Sequence, residues 1–222
     1  MKTSAEQGPT IGEGIFTFPE ASRIIHGATA RELRNWMHTG LSDASYETAE
    51  GRDVLSFDDL VSLEVIRRFK AEGVSIQRVR KFDALLRREF PDRHRPFAYE
   101  MFFTDGSELW IAEFGDAEIG TQLTGSRRGQ AVWNDAIRTF ANEISFDAAT
   151  RRAEKWFVSS SVEVNPEVQY GRPVIRGTRV PVSTVVANLK NGTPEQVADW
   201  LGLTVDEVKG ASEYDAIGRL AA

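Results

Sequence analysis

The chain has 222 residues, a formal net charge of −6 and no cysteine, which excludes a disulfide framework, a thiolate metal site and a cysteine nucleophile. Its length favours two or three small domains. The three histidines lack the spacing of metal ligands and no segment has the length and apolar content to cross a bilayer, so we expect a cytoplasmic protein without a metal or other cofactor.

The charge is unevenly distributed along the chain. Residues 62–95 hold ten basic and five acidic side chains, whereas residues 96–222 hold twelve basic and eighteen acidic ones. Because the phosphate backbone attracts lysine and arginine, only the first of these segments favours a nucleic-acid partner. The two segments therefore predict different partners.

Four helices are predicted before residue 91, each with a capping residue at its start. Apolar residues with a period of 3.6 place the third helix from about Phe57 to Ala71 and the fourth from Ile76 to about Phe90. Between the second and third helices, Tyr46 to Val54 forms a short hairpin of the size of a wing, turning near Ala49, Glu50 and Gly51. The capping residues are Thr17, Thr29, Ser56 and Ser75.

Strands are predicted in the middle of the chain, after a charged linker at residues 91–96. Ala98–Phe103 and Glu108–Phe114 flank Asp105-Gly106, a pair that supplies the positive φ angles of a tight hairpin. A second strand pair is predicted within residues 144–158, and residues 131–143 favour a helix. A small β-containing middle domain follows from this pattern.

The last segment is predicted to begin with a hairpin and to continue with three short helices. The hairpin spans residues 173–182 and turns at Gly177-Thr178. The helices are predicted over residues 183–189, 194–201 and 205–217, with caps at Thr193 and Thr204.

Two helix pairs share one frame of capping and stopping residues. A proline starts the first helix, a glycine ends it, and a threonine with a glutamate caps the second helix, as in a helix-turn-helix. Any compact helix pair needs such caps, so the frame alone leaves DNA binding open. The frame is formed by Pro19, Gly27, Thr29 and Glu32, and again by Pro194, Gly202, Thr204 and Glu207.

Side chains distinguish the two pairs. In the first pair, the second helix places Leu33 and Met37 on a buried face and directs arginine and asparagine outward, residue types that reach base edges or grip phosphates. The corresponding helix of the second pair begins with Asp206 and Glu207, which would repel phosphate. The residues predicted to contact DNA are Thr29, Arg31, Arg34, Asn35, Trp36, Arg52, Arg67 and Arg68.

The block from Ile15 to about Phe90 resembles the MerR-type winged-helix domain. The similarity is carried by residues 18–21, 28–41, 55–60 and 69–76. The resemblance implies a DNA-binding winged helix-turn-helix. This sequence departs from the family in having Asn35-Trp36 at an aromatic pair, and in lacking the long dimerising coiled coil and effector domain.

The block from Val162 to about Tyr214 resembles the small DUF433 domain, through residues 165–166, 171–182, 192–195 and 203–204. Such domains are similar to antitoxins of type II toxin-antitoxin systems, commonly encoded next to PIN-like ribonuclease toxins. The whole arrangement is similar to VapB45-type antitoxins. The resemblance implies an autorepressor that binds double-stranded operator DNA, neutralises a cognate PIN-like toxin and, as symmetric operators suggest, forms a homodimer.

Three arginines in the C-terminal hairpin region, Arg172, Arg176 and Arg179, are predicted to bind a partner. Arg176 and Arg179 flank a two-residue turn, so their like charges should cost stability unless an anion or carboxylate lies between them. The alternative is a solvated turn with the two arginines splayed apart.

The sequence therefore predicts an α+β protein. It comprises an N-terminal winged helix-turn-helix, a small β-containing middle unit, and a C-terminal β-hairpin with a three-helix domain similar to a helix-turn-helix. The predicted boundaries are a flexible N-terminus at 1–14, the winged helix at 15–95, the middle domain at 96–160 and the C-terminal domain at 161–222.

The sequence also bears on two other classes of function. An enzyme is disfavoured, because we find no nucleophile with a plausible base, no phosphate loop and no carboxylate pair at a useful spacing. A transcription regulator that responds to a small ligand in the middle domain is the alternative to an antitoxin, although alternating aromatic residues in strands more often form a core. The aromatic residues that support this alternative are Phe97, Tyr99, Phe102, Phe103, Trp110 and Phe114.

Overall fold

A computed structural model describes residues 13–41, 46–47, 51–104 and 137–221. Its elements confirm the predicted α+β class, since helices are accompanied by two-stranded antiparallel sheets. No helix in these ranges is long and apolar enough to span a membrane. The helices are α1 (Phe18–Ile24), α2 (Ala30–Trp36), α3 (Phe57–Ala71), α4 (Ile76–Glu89), α5 (Glu100–Thr104), α6 (Thr139–Ala141), α7 (Val182–Asn188), α8 (Pro194–Leu201) and α9 (Val205–Ala221). The strands are β1 (Tyr46–Glu47), β2 (Asp53–Val54), β3 (Ile144–Phe146), β4 (Ala153–Trp156), β5 (Val162–Glu163) and β6 (Val174–Ile175).

Reciprocal hydrogen bonds between side chain and backbone fix the helix starts. At α1, the Glu20 backbone N–H donates to Thr17 Oγ1 over 3.4 Å, and the Thr17 N–H donates to the Glu20 carboxylate over 2.8 Å. Each exchange satisfies N–H groups that have no partner within the first helical turn. The predicted caps are therefore confirmed. The same exchange joins Thr29 to Glu32, Ser56 to Asp59, Thr193 to Gln196 and Thr204 to Glu207.

The chain divides into two compact units. The first contains residues 1–34, 44–60 and 155–222, and the second contains residues 35–43 and 61–154. Most of the N-terminal helix pair, the wing and the C-terminal helices thus belong to one unit. The domain boundaries at residues 15, 96 and 161 stay a prediction.

The first unit is organised around α9, which packs against α1, α7 and α8. The contact between α1 and α9 requires Gly218, because a Cβ atom there would lie 2.8 Å from the backbone oxygen of Arg23. Strand β5 pairs antiparallel with β6, with Val162 opposite Ile175. The buried core of this unit consists of Val162, Ile175, Val182, Val185, Val197, Ala198, Val208, Ala211 and Tyr214.

Phe16 connects the N-terminal and C-terminal parts of the first unit. Its backbone exchanges hydrogen bonds with Leu55, at 2.9 and 2.8 Å. Its side chain is only 2% exposed and lies against two glycines, Gly14 and Gly171. Next to it, the Ile15 N–H donates to the carbonyl oxygen of Tyr170 over 3.2 Å. The contacts with Tyr170 and Gly171 involve residues more than a hundred positions away in the sequence.

The predicted C-terminal hairpin is present as a turn. Its arms touch through a single bridge between Val174 and Pro181, and the Thr178 N–H donates to the Ile175 carbonyl over 2.9 Å. The main partner of β6 is β5, which the sequence did not indicate. The prediction was therefore correct for the turn and incomplete for the strand pairing.

In the second unit, α4 packs against the π-helical turn Met37–Leu41 that directly follows α2. Gly40 allows this contact, because a Cβ atom there would lie 2.6 Å from Ile76 Cδ1. Phe82 of α4 also contacts the rings of Phe97 and Phe102, each at a centroid distance of 6.3 Å. Helix and aromatic packing therefore form the core of this unit.

The strand predicted over residues 98–103 is wrong. Pro96–Ala98 forms a 3₁₀ turn and α5 follows it. Phe102 and Phe103 are adjacent and both buried, and each packs on a different ring, Phe97 at 4.9 Å and Phe146 at 5.4 Å. This tertiary packing overrides the local strand preference of the aromatic residues. The turn at Asp105-Gly106 and the second arm lie outside the described residues.

The strand pair predicted within residues 144–158 is confirmed by β3 and β4. Asp147 holds the turn between them, because its Oδ1 accepts from the backbone N–H of Ala149 and from the N–H and hydroxyl of Thr150. The helix predicted over residues 131–143 is described only in its last part, where α6 lies.

Candidate nucleic-acid interface

Helix α2 carries most of the residues that were predicted to contact DNA. Arg31, Arg34 and Asn35 are exposed, and their spacing places them on one face of the helix. Leu33 and Met37 are 0% exposed. The predicted division of this segment into a buried apolar side and an exposed basic and amide side is confirmed.

Thr29 acts as the cap of α2. Its Oγ1 accepts a hydrogen bond from the Glu32 N–H over 3.2 Å and donates to the Glu32 carboxylate over 2.8 Å. The backbone and hydroxyl hydrogen bonds from Thr29 lower the pKa of Glu32. Thr29 therefore positions the first turn of α2, and its contact with DNA stays a prediction.

The two arginines of α2 differ in their surroundings. Arg34 places its Cζ atom 5.0 Å from the ring centroid of Phe18 on α1, and that ring is 1% exposed. This cation–π contact restrains the guanidinium without using its N–H donors. Arg31 forms no hydrogen bond or ion pair with the described residues. The N–H donors of both side chains are therefore directed to solvent or to a bound anion. Trp36, at the end of α2, is half-buried.

The predicted wing is confirmed as an antiparallel pair of short strands. Tyr46 lies opposite Val54, and Glu47 lies opposite Asp53. Gly51 has a φ of +73°, and the exposed Arg52 follows it directly before β2. The residues between the strands at 48–50 lie outside the described part of the chain.

Arg67 and Arg68 of α3 are bound within the protein. Arg67 donates two hydrogen bonds of 2.7 Å to the Glu64 carboxylate, and this contact raises the pKa of Arg67. Arg68 donates to Glu64 over 2.6 Å and to Glu143 over 2.8 Å, and its guanidinium lies 4.5 Å from the Phe140 ring centroid. A contact of either arginine with phosphate would compete with these ion pairs. Their predicted role in DNA binding stays a prediction.

The second helix pair, α8 and α9, reproduces the frame of the first pair but not its charge. Gly27 and Gly202 both adopt a positive φ, +88° and +65°, between the two helices of their pair. In α9, however, the first turn carries Asp206 and Glu207. The two pairs therefore share a geometry and differ in the surface that they present.

The C-terminal arginines Arg172, Arg176 and Arg179 are all exposed. The guanidinium of Arg176 lies 4.0 Å from the ring centroid of Phe157 and forms a cation–π contact with it. Cation–π stacking leaves the guanidinium N–H groups available at its edges. The three side chains remain accessible to a partner.

The sequence did not predict the backbone conformation of the turn that precedes Arg172. Gln169 and Tyr170 both adopt left-handed backbone conformations, with φ of +51° and +58°, although neither is glycine or asparagine. The side chain of Tyr170 is 67% exposed. Strained residues of this kind concentrate at functional sites. No residue type in this turn signalled the conformation.

Comparison with known proteins identifies the two blocks. Residues 16–85 match the MerR HTH family of regulatory proteins, and residues 162–214 match the family described as protein of unknown function DUF433. The fold and the exposed face of α2 thus define a protein that combines a MerR-type helix-turn-helix with a DUF433 domain. A curated protein from Mycobacterium tuberculosis, named “Putative antitoxin VapB45”, is 31% identical in an alignment 175 residues long that covers 73% of this chain and 71% of that protein. The chain belongs to the family of this VapB45 antitoxin.

A solved structure supports the same fold. The X-ray crystal structure of Rv2018 from Mycobacterium tuberculosis matches with a TM-score of 0.73 at 23% sequence identity, over 88% of this chain and 95% of that chain. At this identity the similarity establishes the fold. Together, the family and the MerR-type domain indicate an antitoxin or a DNA-binding regulator.

Proposed function

We propose that this chain is the antitoxin of a type II toxin-antitoxin system, which binds operator DNA as an autorepressor and neutralises a cognate PIN-like ribonuclease toxin. The observation that carries the DNA-binding part is the exposed face of α2, where Arg31, Arg34 and Asn35 lie together above a buried apolar side. The relationship to an antitoxin of the same family supports the toxin-binding part.

The chemistry of α2 suits a DNA groove. Arg31 has no partner among the described residues, and Arg34 is restrained against Phe18, so both can donate to phosphate or to guanine. Asn35 can pair with adenine through its amide. One such helix reads a short half-site, and we therefore propose that a homodimer binds a symmetric operator.

The exposed arginines near β6 suit a protein partner with an acidic surface. Arg172, Arg176 and Arg179 lie in the first unit, and the neighbouring α9 begins with carboxylates that disfavour phosphate. A nuclease active site rich in carboxylates has the complementary charge. In this proposal the protein acts by binding rather than by catalysis.

Operator binding is tested by fluorescence anisotropy with the DNA upstream of the protein's own reading frame. We expect Arg31→Ala/Arg34→Ala to weaken binding at least about tenfold, and to reduce the slope of log affinity against log salt concentration by about 1.8. Arg138→Ala/Lys209→Ala removes the same charge at two other exposed positions and serves as the control. Equal affinities and salt slopes for the two double variants would contradict DNA recognition by α2.

Toxin binding is tested by co-expression with the product of the adjacent reading frame. We expect the two proteins to purify together, and Arg176→Glu/Arg179→Glu to weaken the complex more than Arg138→Glu/Lys209→Glu. An adjacent product that neither binds the chain nor has its ribonuclease activity inhibited by it would refute the antitoxin function. DNA binding would be judged separately by the anisotropy measurement.

A further inference from the structure

A cleft in the first unit shares only Arg172 with the surfaces of the proposed function. It has a volume of about 490 Å³ and is lined by residues of α1, α7 and α9. Part of its wall is apolar, formed by Phe16, Ile24, Val182 and Val186. Small-molecule sites in proteins are predominantly apolar clefts of about 300–1,000 Å³. The size and wall therefore fit one small molecule.

Three cationic side chains line the same cleft. Arg23 lies on α1, Arg172 precedes β6 and Lys190 follows α7. Each is exposed, and none of the three forms a hydrogen bond or ion pair with residues that the structure describes. Charges that converge on an apolar cleft without a partner favour an anionic ligand.

Two carboxylates and a fourth cation, Arg219, also line the cleft. Asp215 pairs with Arg219, and Glu20 keeps its negative charge while it accepts hydrogen bonds from Thr17, so the lining has a net charge of +2. The cleft is thus locally cationic in a protein whose net charge is −6.

We propose that this cleft binds a small organic anion, a molecule with an apolar body and one carboxylate, sulfonate or phosphate group. The apolar body packs between α1, α7 and α9, and the anionic group pairs with Arg23, Arg172 and Lys190. Because the cleft volume matches a single small molecule, a compact ligand fits better than an extended peptide. The proposal rests on the cleft, which shares Arg172 with the proposed toxin-binding surface, and it does not require operator or toxin binding.

Helix α1 connects the proposed ligand site to the DNA-binding helix α2. Helix α1 supplies Arg23 and Ile24 to the cleft and Phe18 to the stacking contact with Arg34 of α2. The proposed site therefore lies on the first helix of the helix-turn-helix.

The test uses 8-anilinonaphthalene-1-sulfonate, an apolar probe with one sulfonate, and its uncharged parent N-phenyl-1-naphthylamine. Both are titrated by fluorescence into the full-length chain. We expect saturable binding of one sulfonate probe per chain. Arg23→Gln/Arg172→Gln/Lys190→Gln should weaken sulfonate binding about tenfold and leave the uncharged parent within about twofold.

Two variants separate the cleft from other surfaces. Ala187→Trp places a large side chain on the exposed wall of α7 and should prevent binding of both probes. Lys209→Gln removes a charge from α9 outside the cleft and should change neither affinity. Far-ultraviolet circular dichroism verifies that each variant is folded. The proposal is overturned if the triple variant binds the sulfonate as well as Lys209→Gln does, or if Ala187→Trp still binds it.

Discussion

Replacement of Gly171 by alanine should destabilise the first unit through two separable effects. Gly171 has a φ of +86°, a region that side-chain-bearing residues rarely adopt. An alanine Cβ atom at this position would also lie 2.4 Å from Phe16 Cζ, and such a contact cannot persist without movement. The Phe16 backbone cannot move away easily, because it exchanges two hydrogen bonds with Leu55.

The magnitude follows from these two effects. A left-handed conformation costs an L-residue about 1–2 kcal/mol. Overpacking of a buried ring costs about 1–3 kcal/mol. Gly171→Ala should therefore lower the free energy of unfolding by about 2–5 kcal/mol, less the smaller gain from a stiffer unfolded chain.

Gly177 offers a matched control in the same segment. Its φ is +71°, and a Cβ atom there would meet nothing within 4 Å. Gly177→Ala should therefore show the backbone cost alone, so that the two variants differ by about 1–3 kcal/mol. Phe16→Leu removes the Cζ atom, and in a double-mutant cycle with Gly171→Ala it should recover part of the loss.

The free energies are measured by urea unfolding followed by circular dichroism, with the dependence on urea compared between variants. Equal stabilities of Gly171→Ala and Gly177→Ala would refute the proposed contact with Phe16. Simple additivity of Phe16→Leu and Gly171→Ala would refute it independently, since residues in contact are expected to couple.

Two further substitutions test single contacts. Tyr214→Phe should leave the protein as stable or raise the free energy of unfolding by about 1 kcal/mol in urea denaturation at neutral pH, because the buried hydroxyl of Tyr214 has no hydrogen-bond partner among the described residues. A marked loss of stability would mean that the hydroxyl has a partner. Glu32→Gln keeps the cap of α2 but cannot titrate. Because the pKa of Glu32 is lowered in the folded protein, its ionised form stabilises the fold above its ordinary pKa of 4.5, and this contribution is lost as the pH falls through the lower folded value. As the pH is lowered through this range, the free energy of unfolding should fall less steeply in Glu32→Gln than in the unchanged protein. The difference should be small because the side chain is exposed. Identical pH profiles would contradict the role of this carboxylate.

The helices were predictable where their signals are local. A threonine or serine and an acidic residue or glutamine three positions later satisfy each other's backbone groups, so the starts of α1, α2, α3, α8 and α9 can be inferred from a few adjacent residues. The exposed face of α2 was predictable for the same reason, since helical spacing alone separates Leu33 from Arg34 and Asn35.

The features that could not be predicted depend on distant residues. The aromatic residues around Phe102 favour a strand locally, whereas the packing of Phe102 with Phe82 and Phe97 occurs in a helix. The contact of Phe16 with Gly171 joins positions that no local pattern connects. The same holds for the cleft, whose cations come from three separate segments.

The arginines predicted to contact DNA include both a contact that could be predicted from local spacing and one that could not. Glu64 lies three and four residues before Arg67 and Arg68, a spacing that indicates ion pairs along a helix and could have been recognised. The second partner of Arg68, Glu143, lies 75 positions away and could not. A count of basic residues over 62–95 therefore overestimates the charge that is available to phosphate.

A comparison of the pair α1 and α2 with the pair α8 and α9 distinguishes the residues that the fold requires from those that DNA binding requires. Both pairs use a threonine cap with a glutamate and a glycine of positive φ, because a tight connection between two helices needs these residues whatever it binds. If this frame were sufficient for DNA recognition, the first turn of α9 would also carry cations. It carries Asp206 and Glu207 instead, and α9 buries its apolar side in the core of the first unit. Unpaired cations on a helix are therefore a better criterion for DNA recognition than the capping frame, and by that criterion α2 is a stronger candidate than α9.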